Sequence, residues 1–224
     1  MKNKYLSPAE KTALAAIVLC LVIFCILPRF IVHFMPSFAA ALNENTWLLM
    51  LPTIIIGIIL FTISKSLNIS KSDFTGLGFA KLVPYTVGLI IIAALCALLW
   101  VKFLDHFQIR YDTTVPVSDF VKSCSKIELI FAMPLICIII PLFEEIIFRR
   151  IIFEGFKYRF PLLFSMTVTS LFFAGLHGIF FQLFPLFVLG LGFQMLYVAN
   201  GKLGASFFAH SFNNTLAFTM LLLI

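Results

Sequence analysis

The chain has 224 residues, of which 62% are hydrophobic and only 12% charged, and its mean hydropathy is +1.09. An average soluble domain runs about 45–50% apolar and about 25% charged, so a water-soluble fold is excluded. Sixteen Lys and Arg against ten Asp and Glu give a net charge of +6, but the basic residues form no stripe that could follow a phosphate backbone, so no nucleic-acid partner is expected.

Seven apolar stretches have span length: Ala13 to Phe34, Trp47 to Ser64, Val83 to Leu104, Ile127 to Phe148, Pro161 to Phe181, Leu183 to Ala199 and Leu203 to Ile224. Each holds about the 20 apolar residues that a bilayer crossing needs. None alternates as a barrel strand does, so the fold class is all-α: a polytopic integral membrane helix bundle of about seven transmembrane helices, forming one domain over residues 1–224. The first stretch resembles a signal peptide, with Lys2, Lys4 and Lys11 before it and Ala39, Ala40 and Ala41 behind. Pro28, Arg29 and His33 lengthen the gap to those alanines, and an uncleaved first helix is expected. With the N-terminus in the cytoplasm, all Lys and Arg residues fall inside except Arg29, Lys102, Arg110, Lys122 and Lys126. That bias follows the positive-inside rule and predicts a multi-pass cell-membrane protein. Cys20, Cys25, Cys96 and Cys137 lie in apolar runs and Cys124 in a loop, and no spacing among them suggests a disulfide framework or a metal knuckle.

The first three spans carry no comparable motif. The chemistry gathers between about 127 and 224, in three runs: Pro141-Leu-Phe-Glu144-Glu145-Ile-Ile-Phe-Arg149-Arg150, Phe173-Ala-Gly-Leu-His177 and His210-Ser-Phe-Asn213-Asn214. A charge at mid-bilayer costs about 2.5–3.5 kcal/mol while a leucine returns about 0.3–0.6, so such groups mark functional sites by default. Glu145 and Arg149, four apart, are expected to form an internal ion pair, whereas Glu144, about 100° round the helix, is expected to face a different neighbour. His210 and Asn214 are also four apart, and the amide is expected to bond one imidazole nitrogen. A lone His177 or Asn213 is by itself equally well read as a packing or interhelical hydrogen-bonding residue.

A desolvated glutamate beside histidines can take a proton from water and return it to a leaving amine, which is the chemistry of peptide hydrolysis, and an Asn amide can donate to the developing oxyanion. The alternative is a zinc site of the two-His, one-carboxylate kind, with Glu145 as general base. No H-E-x-x-H, no G-x-S-G and no aspartate within a span is present, which excludes the other common intramembrane hydrolase sites.

Glu144-Glu145-x-x-x-Arg149, Phe173-x-x-x-His177 and His210-x-x-x-Asn214 resemble, in order and approximate spacing, the three motifs of the CAAX-protease and bacteriocin-processing (CPBP, or Abi) family of intramembrane endopeptidases. The resemblance covers Pro141 to Thr215. It implies a membrane-embedded cavity open to the cytoplasmic side, with Glu144 and His177 activating water, His210 and Asn214 shaping an oxyanion site, and Glu145 with Arg149 holding the helix geometry. It also implies a membrane-associated peptide or protein substrate. A metal-free glutamate mechanism, requiring no cofactor, is the reading taken; were zinc used, His177, His210 and Glu144 would be its ligands. Arg150 departs from the family, which frequently has a small residue there. A non-catalytic membrane binder or bacteriocin-immunity protein of the same fold is the alternative function, and a proton-coupled transporter is disfavoured by the absence of paired broken helices.

Depth decides whether the catalytic pair can meet. If the fourth span ends at Arg149, Glu144 lies ~8 Å from the surface while His177 lies ~24 Å deep. If the helix runs on to Lys157, Glu144 sinks to ~20 Å and the two levels agree. The longer helix is therefore expected.

Overall fold

The computed structural model describes residues 71–74, 79–113, 118, 121–122 and 124–223, with 8, 11, 12 and 15 besides. The first two expected spans lie outside the described residues but for Ala15. Among the described residues every regular element is helical, and five helices follow in order. They are α1, Phe79–His106; α2, Lys126–Lys157; α3, Leu162–Leu176; α4, Leu183–Asn200; and α5, Leu203–Leu223. Three stretches are long and apolar enough to cross a membrane: Lys81–His106, Lys126–Lys157 and Phe180–Asn200. The protein is thus an all-helical membrane protein, and the count of seven spans is not reached among the described residues.

Helix α2 opens on a reciprocal cap. The Ser125 side chain accepts from the Glu128 backbone N–H at 3.4 Å, and the Glu128 carboxylate accepts from the Ser125 N–H at 2.6 Å, so two of the helix's unpaired donors are satisfied at once. The helix then runs on to Lys157 instead of stopping at Phe148, as the depth argument requires. It does so through two wide π-helical stretches, Leu135–Ile139 and Ile146–Phe153, which flank the short α-helical turn Ile140–Glu145. Pro141 accounts for the first. A proline ring clashes with the carbonyl four residues back, here that of Cys137, and widening the turn relieves the clash.

The apolar run expected as one span from Pro161 to Phe181 is divided. Helix α3 ends after 15 residues, its last turn tightened by bonds from His177 N–H to Ala174 O and from Gly178 N–H to Gly175 O. Gly178 then takes φ +69°, a left-handed conformation that glycine adopts without steric cost and that stops the helix. A 3₁₀ turn, Phe180–Gln182, leads into α4. Helices α4 and α5 are joined by an equally short turn at Gly201, φ +67°, whose N–H bonds Tyr197 O at 2.8 Å.

The core forms round the second half of α2. Ile146, Ile147, Phe148, Ile151, Ile152 and Phe153 are buried against Met166 and Phe173 of α3, Tyr197 of α4 and Leu203 of α5. A second cluster ties α1 to α4 and α5 through Leu82, Leu89 and Ala93, packed on Leu189, Phe193, Leu196, Ala205 and Ala209. The other face of α1 exposes Ile91, Ile92, Leu95, Leu98 and Leu99. Each such side chain would gain about 1.5–3 kcal/mol by leaving water, a penalty that hydrocarbon surroundings remove.

Candidate active site

Helices α2 and α5 bring the charged residues together. Glu145 and Arg149 are 0% and 1% exposed, with Arg149 Nε 3.2 Å from Glu145 Oε2; this is the expected i, i+4 ion pair. The guanidinium also donates from Nη2 to Gly190 O at 3.2 Å and lies 5.2 Å from the centroid of the Phe173 ring and 5.8 Å from that of Phe193. An intramembrane arginine is thus neutralised by a carboxylate, one carbonyl and aromatic faces. Gly190 makes this close approach possible, since a Cβ there would stand 2.9 Å from Phe173 Cδ1.

The two adjacent glutamates do not go to different neighbours. They meet the two edges of one imidazole: His210 Nδ1 is 3.0 Å from Glu145 Oε1, and His210 Nε2 is 3.3 Å from Glu144 Oε2. His210 is 3% exposed and Glu144 22%, so the second carboxylate is the one within reach of water or substrate. The imidazole plane is held by Phe193, stacked at 4.8 Å and 19°, and by Phe173, edge-on at 5.7 Å.

Phe173 also carries His177 to the group, its ring centroid lying 4.8 Å from that of His177. His177 sits at the C-cap of α3, half-buried, and its Nδ1–H donates to Phe173 O at 2.8 Å. The proton on Nδ1 leaves Nε2 as the nitrogen with a free lone pair when the ring is neutral.

Asn214 differs from expectation. Its amide does not bond His210, whose nitrogens both face carboxylates. Instead Asn214 Nδ2 donates to Ile136 O at 3.2 Å, and its Oδ1 accepts from Asn213 Nδ2 at 3.3 Å. The cause lies in α2. In the π register Ile140 N–H bonds back five residues to Leu135 O. The next donor in that register would be residue 141, serving Ile136 O, and Pro141 has no N–H. Asn214 fills the place of that missing donor. Arg150, where the family favours a small residue, is set beside Tyr197, Glu154 and Asp73, at the end of α2 where Tyr197 Oη also donates to Glu154 Oε1 at 3.1 Å.

The donors do not fit a zinc site in this arrangement. Among the described residues no three His, Cys, Asp or Glu side chains converge as ligands, and both nitrogens of His210 and Nδ1 of His177 are already engaged. Four participants escaped the sequence reading: Phe193, Gly190, Pro141 and the carbonyl of Ile136. The first two are apolar positions in an apolar helix and carry no signal of their own. The orphaned carbonyl was foreshadowed only by a proline within a span.

The model of the family described as type II CAAX prenyl endopeptidase Rce1-like matches residues 126–216. No curated protein and no solved structure matches the chain. The matched stretch runs from the first residue of α2 to two residues past Asn214 and contains all three motifs. Residues 126–216 are thus similar to the Rce1-like group of the CPBP family, the family that the motifs resemble.

Proposed function

We propose that the protein is an intramembrane endopeptidase that hydrolyses a peptide bond of a membrane-associated peptide or protein with water activated by Glu144 and His177. The observation that carries the reading is Glu144 itself: a carboxylate deep in the bundle and partly accessible, one oxygen against His210 Nε2, in a chain matched by a CAAX endopeptidase family.

Glu144 takes a proton from water as the water oxygen attacks the scissile carbonyl carbon. His177 Nε2, unprotonated, accepts the water's other hydrogen in a hydrogen bond and orients it. The Asn214 amide has a second N–H beyond the one given to Ile136 O, and it donates to the carbonyl oxygen as negative charge develops there. Collapse of the tetrahedral intermediate breaks the C–N bond, and the proton held at Glu144 passes to the leaving amine. Nothing in the cycle needs a metal; a zinc-dependent variant would have to free His210 from one of its carboxylates and draw in His177. The orientation proposed is a cytoplasmic N-terminus with the cavity open to the cytoplasm, and residues 127–224 form the catalytic core.

The test is cleavage by the purified protein in detergent of two fluorogenic probes, a peptide ending in farnesyl-cysteine followed by three residues and an unprenylated, membrane-anchored peptide. Glu144→Ala and His177→Ala are each expected to abolish turnover while leaving thermal unfolding nearly unchanged. Equal loss of folding and turnover assigns these residues a structural role, and failure of the wild type on both probes overturns the reading.

A further inference from the structure

We infer that Glu145 is a positioning residue for catalysis, acting through His210, and is more than the counter-ion of Arg149. The inference rests on Glu144 being the base, and it extends that role to a three-residue proton path. Its ground is the placement of both carboxylates on one ring, Oε1 of Glu145 at 3.0 Å from Nδ1 and Oε2 of Glu144 at 3.3 Å from Nε2.

Glu145 is fully buried against Arg149, so it stays ionised and acts only as an acceptor. It therefore requires a hydrogen on His210 Nδ1, which fixes the neutral ring in the Nδ1–H tautomer with its lone pair on Nε2. Phe193, stacked on the ring, and Phe173 at its edge prevent the half-turn that would set C–H groups against both carboxylates. Glu144 and Nε2 then need one proton between them to bond. The proton that Glu144 takes from water is that proton: its Oε2–H bond breaks as an Nε2–H bond forms, and the reverse transfer returns it for delivery to the leaving amine. While the proton rests on the ring, Glu144, Glu145, Arg149 and the imidazolium carry two negative and two positive charges, so the buried group is neutral. Burial sets the orientation: a neutral ring has one N–H for two carboxylates, and the hydrogen goes to Glu145, 0% exposed, because Glu144, 22% exposed, can turn to water for its bonds.

Two measurements test this. The first needs no substrate. In protein labelled with ¹⁵N-histidine, the His210 signals are identified by their loss in His210→Asn, and Nδ1 is expected to be the protonated nitrogen; a bare Nδ1 with a protonated Nε2 overturns the proposal. The second compares two double variants on whichever fluorogenic probe the wild type cleaves. Glu145→Leu with Arg149→Leu removes the ion pair and the acceptor together; Glu145→Gln with Arg149→Leu removes the ion pair but keeps an oxygen facing Nδ1. Loss of the acceptor is expected to lower kcat on the order of 10²-fold with little change in KM, and the glutamine version is expected to recover at least tenfold of that loss. Equal kcat in two folded double variants assigns Glu145 to the ion pair alone and overturns the proposal. If the wild type cleaves neither probe, the endopeptidase reading fails, and the tautomer measurement decides the placement of the proton by itself.

Discussion

Removing the Asn214 amide tests the coupling between a proline and a side chain that lie on different helices. Asn214→Ala takes away the donor at 3.2 Å from Ile136 O and leaves that carbonyl without the bond that the π register denies it. The net worth of such a bond is about 0.5–1.5 kcal/mol, and an acceptor left unsatisfied away from water raises the cost to about 1–3 kcal/mol. For a chain of this size that corresponds to a fall of roughly 2–12 °C in Tm. Pro141→Ala returns an N–H at the position from which Ile136 O would be served, or lets α2 relax to an α-helical register with the same effect. In the Pro141→Ala background, Asn214→Ala is therefore expected to cost at least about 1 kcal/mol less than in the wild type, a coupling well above the usual additivity error of about 0.3–0.5 kcal/mol. The assay is thermal unfolding of the four proteins of the cycle in one detergent. Equal costs in the two backgrounds would refute the account of Asn214 as the donor that replaces Pro141 N–H. Turnover supplies an independent axis: an oxyanion donor lost from Asn214 lowers kcat by ~10²–10³ whether or not residue 141 is proline.

Arg149→Ala strands Glu145 as an unpaired buried charge and is expected to cost about 3–5 kcal/mol, seen as poor expression and a lower Tm, whereas replacing both partners by leucine is expected to recover most of that loss. Gly190→Ala places a methyl 2.9 Å from Phe173 Cδ1; the ring must shift, with an expected cost of about 1–3 kcal/mol in Tm measurements and a drop in turnover, since the same ring touches both histidines. Chelator treatment of purified, active protein is expected to leave cleavage unchanged, and stoichiometric zinc lost together with activity would show that the glutamate mechanism is wrong.

The charged half of the site was legible in the sequence because each charge within an apolar run is costly, so Glu144, Glu145, Arg149 and His210 could not be passed over. Spacing also gave the Glu145–Arg149 pair, which depends on one helix alone. Contacts that depend on two helices were out of reach. The partner of Asn214 lies 78 residues away and exists only because Pro141 changes the register of α2, an effect that periodicity at 3.6 residues does not represent. The convergence of Glu144 and Glu145 on one ring likewise contradicts the single-helix expectation that neighbours point apart, since it depends on where α5 lies. The end of α3 was hidden for another reason: hydropathy averages across Gly178, whose backbone conformation, and not its polarity, stops the helix.

Helix α3 has a further consequence, for the bilayer itself. Its 15 residues span ~22 Å against a hydrocarbon thickness of about 30 Å. Were its start set at the water boundary beside Arg159, the helix would stop ~8 Å short of the opposite headgroups. In that placement the open backbone around His177 and Gly178 could not face acyl chains; protein, water or a locally thinned bilayer would have to meet it.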